Sequence, residues 1–417
     1  MYGSTLKLLV YVLLVVVALS IYQYNINQTT TRYFEPIFRT FHTDGASINK
    51  TLILAHRGSR YLLPENTMLA FNTALDIGAD VIECDVRATS DDGLVVYHDK
   101  LLKRTTGLEG TIEERTLAQV LAIDAGAMFS PDNGTTTPYR GKGLRIPLAR
   151  QLFDELPVTT SINIEIKEDD ERVADLLWTE MRRAFEQTGR QHRTVVVGCR
   201  YCAPTLRIRQ LAAQYQQEKG LTDLPLTTSA CEKDVTRFVL LSQFYLAKIY
   251  YTWFPMDNFE TFQIPPISGP ISLDKRKIID TAHFFGKHIH YWVINEDHNV
   301  ERILGLGIEG IITDRPDVAV RVFKQQGYKP RSHVIPKPLP GNLTGTYYLP
   351  EVDIEEVHTC ITPLCMVLQH IDMIVISLVL SFVVYKVLFG RGGRAATSSG
   401  KAVPSVSKVT KITKKTQ

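Results

Sequence analysis

The sequence predicts an α/β fold, a closed (β/α)8 barrel, and three observations predict it. Between about Thr51 and Phe323, short β-branched runs alternate with longer stretches of helical spacing. The apolar runs are near-continuous, as strands buried on both faces of a parallel sheet require. The span of roughly 270 residues is close to the ~250 residues typical of such a barrel. A doubly wound open sheet is the competing arrangement.

In chain order the predicted strands are Leu52 to Ala55, Val81 to Val86, Leu94 to Tyr97, Ile162 to Ile166, Val195 to Val197, Leu226 to Thr228, Ile289 to Ile294 and Gly310 to Thr313. Helical spacing covers Thr67 to Ile77, Glu171 to Gln187, Thr205 to Lys219, Asp234 to Ala247, Leu273 to Phe285 and Val300 to Leu304. Thr67 and Asp234 are the expected caps. Residues 100–145 interrupt the rhythm with Thr, Gly and Pro clusters, so they read as an insertion between strands. The barrel is expected over 51–324, followed by a linker over 325–365 that carries five Pro between Lys329 and Pro350.

The two ends point to a membrane. Leu6 to Tyr22 is apolar apart from Lys7 and Ser20, which makes 1–24 an anchor or a cleavable signal peptide. Ile371 to Phe389 has about the length that crosses a hydrocarbon core, so 366–389 is expected to span and 390–417 to form a basic tail. From Lys386 to Gln417 there are eight Lys or Arg and no acid, and the remaining 39 basic against 44 acidic residues leave a body of −5. The positive-inside tendency puts the tail in the cytosol and the barrel on the other side. A positive block confined to a tail is not the footprint of a nucleic-acid-binding domain. Glycosylation acceptor triplets at Asn27, Asn49, Asn133 and Asn342 agree with a lumenal barrel, and Lys414-Lys415-Thr416-Gln417 resembles a dilysine signal for retrieval to the endoplasmic reticulum. Of the six cysteines, Cys199 and Cys202 sit at C-x-x-C spacing without a second close pair, so they are expected to be a structural disulfide or buried thiols; Cys360 and Cys365 would close a small loop.

A barrel of this kind carries its chemistry at the C-terminal ends of its strands. Polar residues fall there: His56-Arg57-Gly58 after the first run, Glu83-Cys84-Asp85 in the second, His98-Asp99 after the third, and Glu165 with Lys167 in the fourth. Glu83 and Asp85 are two apart on an extended segment, so both project to one face. Three carboxylates without cysteine make a hard, oxygen-rich site suited to Mg²⁺, Ca²⁺ or Mn²⁺. Arg57 and Lys167 add fixed positive charge for a phosphate, and two imidazoles divide the proton work of phosphodiester cleavage.

These residues carry a resemblance. His56-Arg57-Gly58, Pro64-Glu65-Asn66-Thr67, Glu83-Cys84-Asp85-Val86, Asp92-Gly93, Val95-Val96-Tyr97-His98-Asp99, Leu102 to Thr106, Ile164-Glu165-Ile166-Lys167, Trp292 to Asn295 and Gly310 to Pro316 resemble the signature of the glycerophosphodiester phosphodiesterase family. The resemblance implies a barrel of the phospholipase C-like phosphodiesterase type that hydrolyses glycerophosphodiesters or glycerophospholipids. By resemblance, Glu83, Asp85 and Glu165 hold one divalent cation, Mg²⁺ or Ca²⁺, and His56 and His98 are the acid/base pair. Arg57 and Lys167 grip the phosphate, Glu65 orients the first loop or touches the metal shell, and Trp292 lines the pocket. The insertion roofs the site, and Asp314 reads as a structural strand-end residue. Gly198-Cys199-Arg200 departs from the Ser-Phe frequent among relatives. The implied partners are a glycerophosphodiester or (lyso)phospholipid and a membrane; lysophospholipase D and phospholipase C outcomes both stay open. The alternative from another class is a catalytically silent barrel kept as a membrane-tethered binding module, which would have lost a carboxylate or histidine that this chain retains.

Overall fold

The computed structural model describes residues 51–327. Its strands are β1 (Leu52–Ala55), β2 (Val81–Ala88), β3 (Leu94–Val96), β4 (Ser161–Ile166), β5 (Val195–Cys199), β6 (Thr227–Thr228), β7 (Thr261–Ile264), β8 (Ile267–Ser268), β9 (Ile271–Ser272), β10 (His288–Tyr291) and β11 (Gly310–Thr313). The helices are α1 (Met68–Ile77), α2 (Lys103–Thr106), α3 (Leu117–Leu121), α4 (Ala149–Asp154), α5 (Glu171–Gln187), α6 (Cys202–Lys219), α7 (Glu232–Gln243), α8 (Ala247–Trp253), α9 (Arg276–Phe284), α10 (Asp297–Leu304) and α11 (Pro316–Gln325).

Eight strands form one parallel sheet in the spatial order β6-β5-β4-β2-β1-β11-β10-β7. A parallel bridge between Ser229 and Thr261 brings the two edges together, with Glu260 N–H donating to the Thr228 carbonyl at 2.9 Å and Ala230 N–H to that of Thr261 at 2.8 Å. The sheet therefore curls into the expected barrel, and few backbone groups at its edges are left to pair elsewhere.

Alternation along each strand separates two cores. Ile53, Ile82, Cys84, Ile162, Ile164, Val195 and Val197 face the helices, whereas Leu54, Val81, Val196 and Ile312 meet inside as the floor of the barrel. One strand step above Val81, on the same inward face, comes Glu83 and then Asp85. Helices close the outer layer by the usual means. The Thr67 hydroxyl caps α1 by accepting from Ala70 N–H at 3.2 Å, Gly78 ends it at φ 111°, and its buried stripe of Ala70, Phe71 and Ala74 docks on the sheet. On α5, Val173, Leu177, Trp178, Met181 and Ala184 repeat at helical spacing and are all buried. Gly310 permits a close approach: a Cβ there would lie 2.6 Å from the His290 ring.

Several sequence expectations change. Leu94–Val96 is not a barrel strand; it pairs antiparallel with the upper part of β2, so His98 enters from an appended ribbon. The eighth stave is instead β7, whose short run Thr-Phe-Gln-Ile is broken by Gln263, a residue that hydrogen-bonds Asn163 inside the barrel. The helix expected over Asp234 to Ala247 starts at Glu232 after Cys231, so Asp234 lies in its first turn rather than capping it, and the helix stops at Gln243 before a separate α8. Cys199 does not pair with Cys202. Cys202 opens α6 and bonds Cys231, with Cα atoms 5.1 Å apart, while Cys199 stays a buried thiol on the strand. Among the described residues no helix is long and apolar enough to cross a membrane. The segments expected at 1–24, 366–389 and 390–417, nearly all of the linker, Asn27, Asn49, Asn342, Cys360 and Cys365 lie outside the described residues; Asn133 lies within them and is exposed.

Candidate active site

The β1–α1 loop builds the first wall. Arg57, Gly58 and Asn66 all have positive φ, at 50°, 89° and 55°. For Arg57 and Asn66 this costs on the order of 1–3 kcal/mol each, so the surroundings must impose it. A Cβ on Gly58 would lie 2.8 Å from that of Ala70, which leaves no room for any other residue. The turn aims Arg57 N–H at Glu83 Oε2, 2.7 Å away, and brings Asn66 onto Asp85. Asn66 Nδ2 donates to Asp85 Oδ2 at 2.9 Å, and its Oδ1 accepts from Asp85 N–H at 3.3 Å. The role of Asn66 was not apparent from sequence, although it stands inside the Pro-Glu-Asn-Thr motif.

Glu83, Asp85 and Glu165 each place one carboxylate oxygen within 4.8 Å of the other two. Glu83 and Asp85 are buried and Glu165 is half-buried. Two cations flank them: Arg57 Nε lies 3.4 Å from Asp85 Oδ2, and Lys167 Nζ lies 3.4 Å from Asp85 Oδ1 and 3.1 Å from Glu165 Oε1. Burial would raise the Asp85 carboxyl, but Lys167 and Arg57 hold it down to about 2. Burial and the neighbouring Asp85 charge push Glu83 up to about 7. The two carboxylates are thus driven apart, with Asp85 compensated by its cations and Glu83 not. Asp85 Oδ1 is buried without a hydrogen-bond partner. A buried carboxylate oxygen that has an ion-pair neighbour in Lys167 but no hydrogen-bond donor, set among three clustered carboxylates, fits a hard divalent cation.

Each candidate histidine is tied by one ring nitrogen to a carboxylate. His56 Nδ1 lies 2.5 Å from Asp314 Oδ1, and Asp314 is fixed in turn by Asn295 Nδ2 at 3.0 Å and by its own N–H on Asn295 Oδ1 at 2.9 Å. Burial would lower the His56 pKa, yet Glu83 and Asp314 raise it. Asp314 is accordingly more than a strand-end residue. His98 Nδ1 lies 2.7 Å from Asp99 Oδ1. A carboxylate only accepts, so Nδ1 carries the hydrogen in both rings and Nε2 is left to exchange a proton. His56 adjoins Arg57, which touches Glu83 and Asp85, and His98 lines one cavity with Glu165 and Lys167, so both imidazoles lie at this end of the barrel.

Glu65 does not join the acidic cluster. It bridges Arg57 at 2.9 Å and Arg104 of the insertion at 2.6 and 2.8 Å, and against its burial these two guanidiniums lower its pKa. Arg104 also holds Asp99 at 2.6 Å, completing a chain from Arg57 through Glu65, Arg104 and Asp99 to His98. Sequence reasoning left Arg104 and Asp99 without roles. Beside this chain opens a cavity of about 670 Å³ lined by His98, Asp99, Arg104, Glu165, Lys167 and Tyr201 among others. Trp292, directly after β10, is 41% exposed, which excludes a core role.

The family model for glycerophosphoryl diester phosphodiesterases matches residues 56–318. A glycerophosphodiester phosphodiesterase of Caldanaerobacter subterraneus is 25% identical over 279 residues, covering 67% of this chain and 100% of its own. A human lysophospholipase D is 26% identical over 284 residues, covering 63% of this chain and 83% of its own. Among solved structures, the glycerophosphoryl diester phosphodiesterase domain of a Mycobacterium tuberculosis protein superposes with a TM-score of 0.51 at 18% identity over 65% of this chain and 98% of that one, a likeness of fold. The chain belongs to the glycerophosphoryl diester phosphodiesterase family.

Proposed function

We propose that this chain is a divalent-metal-dependent phosphodiesterase that hydrolyses glycerophosphodiesters, with His56 and His98 as its proton-transfer pair. The observation that carries the reading is the juxtaposition of three carboxylates, two flanking cations and two carboxylate-tied imidazoles at one end of the barrel. Glu83, Asp85 and Glu165 would hold Mg²⁺ or Ca²⁺, and the family typically uses such a metal. The bound ion would neutralise phosphate charge as a Lewis acid. Arg57 and Lys167 bind the phosphate oxygens and orient phosphorus toward the attacking oxygen. One imidazole takes the proton of that oxygen through Nε2; the other returns a proton to the departing alkoxide as the P–O bond breaks. Asp314 and Asp99 keep the two rings in the required tautomer.

A lysophospholipid is the second reading, favoured by the human relative named a lysophospholipase D. In this reading the barrel is tethered by the apolar segments at 1–24 and 366–389 and faces the lumen of the endoplasmic reticulum. The Cys202–Cys231 disulfide supports an oxidising compartment. By topology, Thr51 before β1 and the end of α11 both leave from the face opposite the mouth, which supports a substrate arriving from solution. Turnover of glycerophosphoethanolamine, glycerophosphoglycerol and lysophosphatidylcholine, with and without chelator and with products identified by mass spectrometry, tests the proposal. Chelator-sensitive release of glycerol phosphate or lysophosphatidate is expected. No turnover of any of them would restore the silent binding module. Protease protection of the barrel in intact microsomes tests its side of the membrane.

A further inference from the structure

Arg87 follows Asp85 by two residues on β2, so its side chain leaves the strand on the same inward face. It is only 6% exposed. A guanidinium so buried needs partners, and it has three on different segments. Its Nε donates to the carbonyl of His98 at 3.0 Å, and its Nη1 donates to Glu113 Oε1 at 2.8 Å and to Glu168 Oε1 at 3.3 Å. Glu168 follows β4, and its other oxygen accepts from Ala88 N–H at 3.4 Å. Glu113 belongs to the insertion. One side chain therefore joins β2, the segment beyond β4, the insertion and the backbone of a histidine.

The contact to His98 has a particular consequence. Antiparallel pairing of β3 with β2 ends at Val96, and Tyr97 N–H makes one last bond to the Asp85 carbonyl at 2.9 Å. His98 lies past that point, on chain outside any regular element. Its imidazole is oriented through Asp99 and its backbone through Arg87. The two holds are independent: one sets the ring, the other sets the Cα from which the ring projects. Loss of the second would let the ring drift by an ångström or so, a displacement that costs on the order of 10²-fold in rate.

We propose that Arg87 is a positioning residue for His98: its guanidinium fastens the histidine's carbonyl to the inner face of β2 and to Glu113, holding the imidazole against the cavity wall it shares with Glu165 and Lys167. The proposal rests on the reading of His98 as a proton-transfer group. Arg87 also lines the cavity, so the competing account is direct contact with substrate. The two accounts differ in kinetics.

The experiment uses the full chain with glycerophosphoethanolamine and glycerophosphoglycerol, comparing Arg87→Met, Arg87→Lys, Glu113→Gln, His98→Ala and the Arg87→Met/His98→Ala pair. Arg87→Met is expected to lower kcat about 30–100-fold with KM within about threefold, and Arg87→Lys to recover part of the loss. In the His98→Ala background, Arg87→Met should add less than about threefold, because the group it positions is already gone. Glu113→Gln, which keeps the buried cation, should show the same kcat signature more weakly and stands in if Arg87→Met does not fold. Amide hydrogen exchange should quicken at residues 97–102 and 110–114 while β1 and β5 keep their protection. A loss borne by KM, full multiplication of the two single effects, or unchanged exchange at 97–102 would overturn the proposal. The exchange result does not depend on turnover, so a chain silent toward both substrates would count against the functional reading while this one stood or fell on residues 97–102.

Discussion

His56 and His290 are enclosed by the same barrel, and their surroundings drive them in opposite directions. On the β10 side, His290 faces Gln263 at 3.3 Å and its Nε2 has no partner; burial, with a little help from His288, pushes it down to about 3. On the β1 side, burial acts on His56 in the same sense, but Glu83 and Asp314 outweigh it and the pKa rises. Burial alone therefore makes a neutral, inert histidine, and a proton carrier requires carboxylates brought to it. The same division runs through the interior. The β7–β10 side carries neutral polar groups such as Gln263 and His290, with Gln263 reaching across to Asn163 low on β4, while the C-terminal ends of β1, β2 and β4 concentrate Glu83, Asp85, Arg57 and Lys167.

That contrast can be broken in graded steps. Glu83→Ala removes both a candidate metal ligand and a source of the His56 shift, so metal-dependent turnover should fall by ~10⁴ or more with the fold intact, since residues at the C-terminal rim serve function more than stability. Unimpaired turnover by that variant would end the ligand assignment. His98→Ala should cost about 10²–10⁴ in kcat, and a loss under about tenfold would remove it from proton transfer.

Asp314→Asn tests whether His56 can be turned toward the behaviour of His290. A loss of about 10–100-fold is expected, because the amide no longer enforces the Nδ1–H tautomer. Its pH signature has a defined sign. A histidine with a raised pKa stabilises the folded state fully below its ordinary value of about 6.5, and this stability is lost as pH rises through the folded pKa. Asp314→Asn should flatten that slope in melting temperature measured across neutral pH, and an unaltered slope would dissociate Asp314 from the shift. At the small end, His290→Asn should leave turnover within about threefold and lower unfolding stability by about 1–3 kcal/mol, as expected for a buried structural polar group. A large loss of activity there would erase the contrast between the two sides.

What could be read from the sequence followed local rules. The runs of β1, β5 and β11 were legible because both faces are apolar, and those of β2 and β4 because their polar residues keep period two against an apolar outer face. β7 escaped because Gln263 interrupts it, and the reason for Gln263 lies in Asn163, a hundred residues away. The third apolar run looked like a barrel strand because a ribbon appended to β2 and a stave of the barrel have the same composition. At the site, period-two spacing placed Glu83 beside Asp85, but nothing local connects Asp314 to His56, Asn66 to Asp85, or Arg104 to Glu65.

By itself the sequence determined the alternation of strand and helix, the face on which Glu83, Asp85 and Arg87 project, and the chemical types available at the strand ends. Those are properties of a chain within a few residues of itself, set by the pleat and by side-chain identity. Only the tertiary structure decided which carboxylate hydrogen-bonds which imidazole and that Cys202 meets Cys231. Electrostatic shifts depend on distances of a few ångströms between segments far apart in the chain, and closure of the barrel sets those distances.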